Sequence, residues 1–298
     1  MSDAVGSLNL IGAGRVGRVL GRLWKNAEVF EVQDVLTRSR ESASAAVRAI
    51  GAGRAAGAVE EMRTADVWLI ATTDDAIGTT GRILAASGKL RPGNVVFHVS
   101  GATPAAELGP AQSCGARIAS VHPIKTFSET EKSAESFAGT YCSTEGDPEA
   151  LEVLKPAFER IGAQVFGISP DMKGIYHAGG VFACNYLVAL IEAAVMCHHA
   201  AGIPREASLK AVEPMVRESV DTIFAHGLGQ ALTGPISRGD ALTLGRQLGA
   251  LQAWNADMAE LYRRLGLVAA ALAVSDGRLD VTQRNELQKI LSADESRG

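Results

Sequence analysis

A short apolar strand that runs straight into a glycine-rich turn constrains the fold of this 298-residue chain more than any other feature. The strand is predicted over residues 8–11, and the turn Gly12-Ala13-Gly14-Arg15-Val16-Gly17 has the form G-x-G-x-x-G and opens a stretch with helical spacing. Gly12 permits the tight turn, Gly14 lets the backbone approach a pyrophosphate, and Gly17 lets the helix pack against the strand. The helix N-terminus offers free N–H groups to the phosphates. The turn therefore predicts dinucleotide binding, and the alternative is a glycine-rich turn without a ligand.

The end of the second predicted strand indicates which dinucleotide is bound. This strand covers residues 28–36 and is followed by Thr37-Arg38-Ser39-Arg40. NAD-binding units usually place an acid here on the ribose 2′-OH, and this chain has none. An arginine fork with neighbouring hydroxyls suits a 2′-phosphate. We therefore expect NADP, held by Arg38 and Ser39; the alternative is that Arg38 and Arg40 are solvated charges at a helix start.

The composition argues against several classes of partner. A net charge of −4 without a basic run gives nucleic-acid binding no electrostatic support, and the six histidines show no metal-ligand spacing. Four widely spaced cysteines without a C-x-x-C pair predict reduced thiols. The fold is expected to begin within a few residues, without a signal peptide. The apolar run near 181–197, interrupted by Asn185 and Glu192, is predicted to be a buried core helix rather than a membrane span. We therefore expect a cytoplasmic protein with no membrane partner.

Predicted strands and helices alternate through the first half of the chain, and helices fill the second half. Such alternation is typical of a parallel, doubly wound sheet. The expected fold class is therefore α/β, with a Rossmann domain over residues 1–168 and an all-helical domain over residues 169–298. The predicted strands are 8–11, 28–36, 67–71, 95–99, 117–122, 141–144 and 164–168. The predicted helices are 15–25, 41–50, 75–87, 103–108, 148–161, 170–200, 205–226, 240–273 with breaks, and 280–291.

Polar residues follow the predicted strand 67–71, at the edge where a doubly wound sheet binds its ligand. Thr72 and Thr73 are expected to flank the nicotinamide ribose. Asp74 and Asp75 lie at a helix start, so they are expected to be helix caps rather than ribose ligands.

The next two predicted strands end in further candidates. Ser100 lies where a substrate oxygen would meet the nicotinamide ring, so it is a candidate for both cofactor and substrate contact. His98 points to the same face of the sheet, and its alternative is a satisfied buried histidine. His122 is a candidate proton donor or carboxylate ligand, and Lys125 a candidate for neutralising an anion. The alternative is a turn set by Pro123 with a solvated lysine.

The first helix of the second half has a polar face. At about 100° per residue, Lys173, His177, Gly180 and Cys184 share one face, with Asn185 at its edge. Hydride transfer to a carbonyl needs a proton donor, and Lys173 or His177 fits that role. The alternative is an exposed first turn with a structural glycine contact.

A break between two helices, over residues 232–240, contains glycine, proline and charge. Arg238 is a candidate bidentate clamp for a substrate carboxylate. Asp240 is predicted to cap the following helix.

Six segments carry a resemblance over nearly the whole chain: 12–17, 74–77, 99–101, 122–127, 173–185 and 233–240. Together they resemble a family of Rossmann-like NADP oxidoreductases with a helical second domain, long classed as a domain of unknown function within the 6-phosphogluconate dehydrogenase-like superfamily. The resemblance implies a C-terminal domain of that superfamily's type, an active site between the domains and a dimer built through the helical domain. Some members resemble an alternative ketopantoate reductase.

This chain departs from the pattern of the wider superfamily at the helix that begins near Lys173, and the turn Thr72-Thr73-Asp74 also lacks the proline that often precedes the paired acids. That superfamily's β-hydroxyacid dehydrogenases carry Lys-x-x-x-Asn, with Lys as acid/base and Asn orienting the substrate. In this chain Lys173 is followed by His177 instead. Either His177 replaces the asparagine, or the proton donor shifts from Lys173 to His177.

The resulting hypothesis is an NADPH-dependent reductase of a small anionic carbonyl substrate, with 2-dehydropantoate (ketopantoate) as the candidate. Lys173 and His177 are expected to handle the proton. The residues expected to hold the substrate are Ser100, His122, Lys125 and Arg238, and Asn185 is a further candidate site residue. One alternative is a dehydrogenase or imine reductase for another small acid, and another is a non-catalytic NADPH-binding sensor.

Overall fold

An eight-stranded sheet forms the centre of the first half of the chain in the computed structural model, which describes residues 6–292. The strands are β1 (Ser7–Ile11), β2 (Glu31–Leu36), β3 (Arg54–Ala56), β4 (Val67–Ile70), β5 (Val95–His98), β6 (Arg117–Pro123), β7 (Tyr141–Gly146) and β8 (Gln164–Gly167). Their order across the sheet is β3-β2-β1-β4-β5-β6-β7-β8. Strands β1 to β6 are parallel, which confirms the predicted Rossmann sheet.

The sheet differs from the prediction at both edges. β3 was not predicted, because three residues are too few to show a period-two pattern. β7 runs antiparallel to β6, whereas β8 runs parallel to β7. The sequence pattern of a strand reports which face is buried but carries no information on its direction, so this reversal was not predicted.

Helices follow most strands and cover the sheet. In the first half these are α1 (Arg15–Asn26), α2 (Arg40–Ile50), α3 (Asp74–Ala86), α4 (Gly109–Ser113), α5 (Thr130–Glu135) and α6 (Pro148–Glu159). Short 3₁₀ turns lie at Val59–Glu61, Ala105–Leu108 and Pro170–Met172. The helix predicted over 103–108 is thus a 3₁₀ turn, because Pro104 begins it and only four residues follow before α4.

An aromatic cluster fills the core on one face of the sheet. The Trp24 ring meets the edges or faces of Phe30, Phe97 and Phe158 at centroid distances of 5.4, 6.2 and 5.1 Å. The indole N–H of Trp24 donates to the carbonyl of Ala157 at 2.9 Å, so the ring is buried without an unpaired donor. A second buried cluster, which includes Trp68, lies on the opposite face of the sheet. These clusters hold helices against both faces of the sheet and fix the edge that carries the candidate site.

The second half of the chain is helical. After α7 (Lys173–Gly180) a π-helical turn covers Val181–Asn185. The remaining helices are α8 (Tyr186–Ala200), α9 (Arg205–His226), α10 (Leu228–Ala231), α11 (Gly234–Ser237), α12 (Ala241–Trp254), α13 (Ala256–Ser275) and α14 (Val281–Leu291). Two compact units result, Met1–Cys184 and Asn185–Gly298. The first unit includes α7, beyond the boundary predicted at residue 168.

The prediction of a buried core helix near 181–197 is wrong for the single chain. Val195 is the one buried residue that α8 contributes. Among the described residues, the helical stretch Pro170–Ala200 is long and apolar enough to cross a membrane, with a mean hydropathy of 1.8. Only 6% of its most apolar part is buried. The burial prediction failed because α8 packs mainly on α9 and is apolar on its other sides as well.

Candidate active site

The three glycines of the first turn differ in how closely the rest of the chain packs on them. Gly12 has a φ of +86°, and a methyl group on it would lie 2.6 Å from the carbonyl carbon and oxygen of Ala71. A methyl group on Gly17 would lie 2.8 Å from the carbonyl oxygen of Gly12, so the helix start packs tightly on the turn. Gly14, by contrast, faces open space, because a methyl group added to it would meet no described heavy atom within 4 Å. The turn is closed on the sheet side and open on the outer side.

The start of α1 is free to receive an anion. Gly14 is its N-cap residue, no described side chain caps it, and no acid lies in its first turn. Ala13 is buried and Arg15 is exposed beside the carbonyl of Phe127. Uncapped N–H groups at a helix N-terminus suit a phosphate group. The residues present therefore fit the pyrophosphate of a dinucleotide.

At the end of β2, two of the three residues considered for the 2′-phosphate already have partners within the chain. The Ser39 hydroxyl accepts a hydrogen bond from the Ser42 N–H at 3.2 Å and caps α2. Arg40 pairs with Glu61 at 2.6 Å. Arg38 is exposed, and no described residue forms a hydrogen bond or ion pair with it. Arg38 is thus the arginine that is available to a ligand at this strand end.

The turn after β4 corrects one prediction. Thr73 is the N-cap residue of α3, and Thr72 lies one residue before it. Asp74 and Asp75 occupy the first turn of the helix and do not cap it, because the helix begins one residue earlier than predicted. Their charges still favour the positive end of the helix dipole.

The side chains at the end of β5 are used by the turn that follows. The imidazole of His98 is fully buried; Nδ1 accepts from the Ser100 N–H at 3.2 Å, and Nε2 lies 3.3 Å from the Pro104 carbonyl, to which it donates. The Ser100 hydroxyl accepts from the N–H groups of Ala102 and Thr103 at 3.2 and 2.9 Å. The Ser100 side chain is 6% exposed and its hydroxyl is used within the turn. Its contact with cofactor or substrate stays a prediction. Burial lowers the pKa of His98 to about 3, and the nearby Lys173 charge acts in the same direction.

A buried ion pair lies beneath the sheet edge. The Lys173 ammonium bonds to the Ser120 hydroxyl and, at 3.2 Å, to the Glu145 carboxylate. The side chains of Lys173 and Glu145 are 2% and 3% exposed. The same carboxylate oxygen accepts the Ala105 N–H at 2.8 Å. Burial lowers the pKa of Lys173, and the Glu145 charge opposes that shift.

Two histidines and a tyrosine lie at the more accessible side of this ion pair. The Tyr176 hydroxyl and the His122 Nδ1 are 2.9 Å apart, and the His122 and His177 ring centroids are 5.9 Å apart. All three side chains are half-buried. A methyl group on Gly101 would lie 2.5 Å from the His177 Cδ2 and 2.7 Å from the His122 Cε1, so the glycine permits both rings to approach the turn.

The environment keeps His122 and Tyr176 neutral at neutral pH. Burial, followed by the His177 and Lys173 charges, lowers the pKa of His122 to about 4, and Asp74 acts in the opposite direction. Burial raises the pKa of the Tyr176 hydroxyl. The site thus offers a neutral phenol and a neutral imidazole beside a buried cation. Such a combination can give a proton to a substrate atom that gains negative charge.

Three further predicted residues do not join this cluster in the first unit. The Lys125 ammonium donates to the carbonyl and hydroxyl oxygens of Ser136, at 2.8 and 3.0 Å. Asn185 and Arg238 belong to the second unit. Asp240 caps α12 through the Thr243 N–H at 3.0 Å, as predicted. The substrate roles of Lys125, Asn185 and Arg238 stay predictions.

The polar face predicted on the first helix of the second half, from Lys173 to Cys184, ends earlier than expected. Lys173 and His177, four residues apart, both turn toward the sheet edge. The π-helical turn after Gly180 then changes the helical phase, so Cys184 does not continue that face. A methyl group added to Gly179 or Gly180 would meet no described heavy atom within 4 Å, so no described backbone packs closely on them.

Four residues of the site were missed: Gly101, Ser120, Glu145 and Tyr176. Tyr176 had a usable signal, because a residue three positions after Lys173 lies on the same helix face. Glu145 had a weaker one, as the single charged residue in 141–146. Its pairing with Ser120 depends on the antiparallel register of β6 and β7, which the sequence did not reveal.

Family comparisons match the two halves of the chain separately. Residues 1–123 match a Rossmann-like domain, and residues 140–269 match the family described as a domain of unknown function, DUF2520. Together these two matches confirm the resemblance inferred from its motifs, a Rossmann-like sequence followed by one similar to DUF2520. A comparison with curated proteins finds no match.

Solved structures share the fold over nearly the full length. Protein TM1727 from Thermotoga maritima is 24% identical with a TM-score of 0.74, covering 91% of this chain and 99% of its own. An imine reductase from Myxococcus stipitatus in complex with NADP⁺ is 17% identical with a TM-score of 0.61, covering 95% and 100%. Pyrroline carboxylate reductase from Plasmodium falciparum with NADP bound is 14% identical with a TM-score of 0.53, covering 92% and 99%. At these identities the likeness establishes the fold alone.

Proposed function

We propose that this protein is an NADPH-dependent oxidoreductase that reduces a C=O or C=N bond of a small anionic substrate. The observation that carries the proposal is the open face of Gly14 at the uncapped start of α1, in the same sheet domain as the Lys173–Glu145 ion pair and the Tyr176–His122 pair. The first feature suits a pyrophosphate, and the second suits proton transfer. Fold alone does not determine an activity, so the proposal depends on these side chains.

The cofactor part of the proposal concerns four places in the chain. Gly12 to Gly17 would hold the pyrophosphate, Arg38 with the Ser39 region would hold the 2′-phosphate, and Thr72 and Thr73 would lie beside the nicotinamide ribose. The bound cofactor would supply a hydride to the substrate. Two of the solved structures with this fold contain NADP, which supports the choice of dinucleotide.

The substrate part of the proposal is an anion with a reducible double bond. The predicted substrate contacts Lys125 and Arg238 are cationic and favour an anion, whereas the Lys173 ammonium is already paired with Glu145 at 3.2 Å. 2-Dehydropantoate is the first candidate because of the family resemblance. Cyclic imines with a carboxylate are the second, because two proteins of this fold are reductases of imine or pyrroline substrates.

The test is oxidation of NADPH by the pure protein with 2-dehydropantoate, other 2-keto acids and cyclic imino acids, with NADH in parallel. Lys173→Ala and His177→Ala test the two predicted proton donors, and Val281→Ala on α14 is a matched control. We expect turnover with at least one substrate and a preference for NADPH, and a roughly 10²–10⁴-fold loss in a variant only if the residue it removes is the proton donor. Failure of the wild-type protein to bind NADPH would contradict the proposal; tight binding without any turnover would favour a sensor.

A further inference from the structure

The Lys173 ammonium is poorly placed to give its proton to a substrate. It is 2% exposed and bonds to Ser120 and Glu145 inside the protein. Glu145 in turn accepts the Ala105 N–H, so the carboxylate is fixed from a second side. Removing one partner of a buried ion pair leaves an uncompensated charge, which is strongly unfavourable. Lys173 therefore serves better as a fixed charge than as a group that loses and regains a proton.

The Tyr176 hydroxyl differs in each of these respects. It is half-buried; its oxygen lies 2.9 Å from the His122 Nδ1, and the Ser143 side chain is a second hydrogen-bonding neighbour. A neutral imidazole carries one N–H, and that N–H can lie on Nδ1. In that tautomer Nδ1–H donates to the phenol oxygen, and the phenol O–H remains available to another acceptor. Because burial lowers the pKa of His122 to about 4 and raises the pKa of Tyr176, both groups are neutral at neutral pH, which this tautomer requires.

We propose that Tyr176 is the proton donor of the reaction, that His122 is its positioning residue through an Nδ1–H···Oη bond, and that Lys173 remains a fixed buried charge. This inference rests on the proposed reductase function. As the hydride pair reaches the substrate carbon, the π pair of the C=O or C=N bond moves to the heteroatom. That atom takes the proton from Tyr176 Oη. His122 then stabilises the phenolate through its Nδ1–H, and water returns the proton to Tyr176.

Gly101 and His177 complete the positioning. Because a side chain on Gly101 would overlap both imidazoles, the glycine fixes how closely His122 approaches the end of β5. The His177 ring also lies against Gly101, with its centroid 5.9 Å from that of His122. With Tyr176 as the donor, the proposal leaves His177 without a proton-transfer role.

The first test needs no substrate. Nitrogen NMR of histidine-labelled protein reports which ring nitrogen carries the proton, and we expect the Nδ1–H tautomer for His122. His98 is an internal reference of the opposite kind, because its Nδ1 accepts from the Ser100 N–H. Tyr176→Phe should shift the His122 Nδ1 signal, and Tyr141→Phe, on β7, should not. The Nε2–H tautomer at His122 would overturn the proposal, because the phenol would then be donating to the imidazole.

The second test uses whichever substrate of the panel the wild-type protein reduces. We expect Tyr176→Phe to lower kcat about 10²–10⁴-fold while NADPH binding is kept, and Tyr141→Phe to leave kcat unchanged. The wild-type kcat should fall as pH rises and the phenol ionises, and this fall should vanish in Tyr176→Phe. Retained turnover in Tyr176→Phe with loss in His177→Ala would overturn the assignment. A wild-type protein with no substrate fails the proposed function instead, and the NMR result then stands alone.

Discussion

Arg38 is one exposed side chain on which the choice between two cofactors depends. It lies at the end of β2, and its neighbours Ser39 and Arg40 are already engaged in a helix cap and an ion pair. A guanidinium that meets a phosphate forms charge-assisted hydrogen bonds, each contributing roughly 1.5–3 kcal/mol. We expect Arg38→Ala to weaken NADPH binding about tenfold to a hundredfold and to leave NADH binding nearly unchanged.

The measurement is the dissociation constant of each cofactor by fluorescence titration. Arg48→Ala, which removes an exposed arginine from the last turn of α2, is the control and should change neither constant. Equal weakening of NADPH and NADH binding in Arg38→Ala would show that this arginine does not contact a 2′-phosphate.

His98 makes a second prediction at the scale of one residue, and it concerns acid stability. Its pKa is about 3 in the folded protein and about 6.5 in the unfolded chain. Between these values the unfolded chain binds a proton that the folded protein does not, so the free energy of unfolding falls as pH drops from 6.5 toward 3. Above pH 6.5 the contribution is constant. The full effect is on the order of 5 kcal/mol, and His122 adds a smaller share in the same direction.

His98→Asn should remove much of this slope, since an amide oxygen can still accept the Ser100 N–H but does not titrate. We expect a loss of roughly 1–3 kcal/mol at pH 7 from the missing bond to Pro104, with a flatter dependence on pH below 6.5. Urea unfolding at several pH values measures both. His226→Asn, at the exposed end of α9, is the control. An unchanged slope in His98→Asn would mean that other groups govern acid unfolding.

At the scale of one element, the turn between β1 and α1 separates a folding role from a binding role. Gly12 has a left-handed φ, and a methyl group added to it would lie 2.6 Å from backbone atoms, whereas Gly14 has open space. We expect Gly12→Ala to lower the free energy of unfolding by at least about 1–2 kcal/mol. Gly14→Ala should fold like the wild-type protein and bind NADPH about tenfold or more weakly, because its methyl group would occupy the place of the pyrophosphate.

Thermal unfolding and cofactor titration distinguish the two variants. Gly109→Ala is the control, because its φ is ordinary and its surroundings are open. If Gly14→Ala bound NADPH normally, the open face of the turn would not be the phosphate site.

Individual helices and strands differ in how well they could be predicted from the sequence. Seven elements were placed to within a few residues: helices α1, α2 and α6, and strands β1, β4, β5 and β6. The helices show a periodic apolar face, and the strands are short, mainly apolar runs between helices or turns. The antiparallel direction of β7 and the π-helical turn were not predicted. Both depend on contacts distant in sequence, and neither changes the hydrophobic pattern of the residues concerned.

The candidate site was predicted in part, for a related reason. His122, Lys173 and His177 were singled out because histidine and lysine at a strand end or helix start are chemically distinctive. Whether each of them is buried or accessible could not be predicted. Lys173 is enclosed because Glu145 comes opposite Ser120 in the register of β6 and β7, and a register is a property of two strands together.

At the scale of the whole molecule, α8 and α9 leave apolar surface without a described partner. No Asp, Glu, Lys or Arg occurs from residue 174 to 191. Val188 and Leu190, about 200° apart around α8, are 69% and 39% exposed, so the helix is apolar on opposite sides. A groove of 560 Å³ between α8 and α9 has apolar walls and charges of both signs at its rim: Ile191, Leu209, Val212, Glu213, Val216, Arg217, Val220 and Asp221. Exposed apolar surface of this extent marks an interaction site, and a rim of both signs can be self-complementary.

We propose that a second copy of this chain covers this surface, so that the protein is a homodimer. Light scattering after size-exclusion chromatography should give the mass of a dimer for the wild-type protein and of a monomer for Val188→Glu. Val281→Glu introduces the same charge at a residue of α14 that is 71% exposed, and it should remain a dimer. A monomeric wild-type protein that co-sediments with lipid vesicles would assign the surface to a membrane instead.

The aromatic cluster around Trp24 also gives the protein an optical property. Trp24 and Trp68 are both fully buried in the first unit, the unit that carries the glycine turn. Indoles in apolar surroundings emit light at wavelengths that reduced nicotinamide absorbs and oxidised nicotinamide does not. If the chain binds the cofactor as proposed, its tryptophan fluorescence should be lower with the reduced cofactor bound and higher after the hydride has been transferred. Turnover could then be followed by this fluorescence without an added dye.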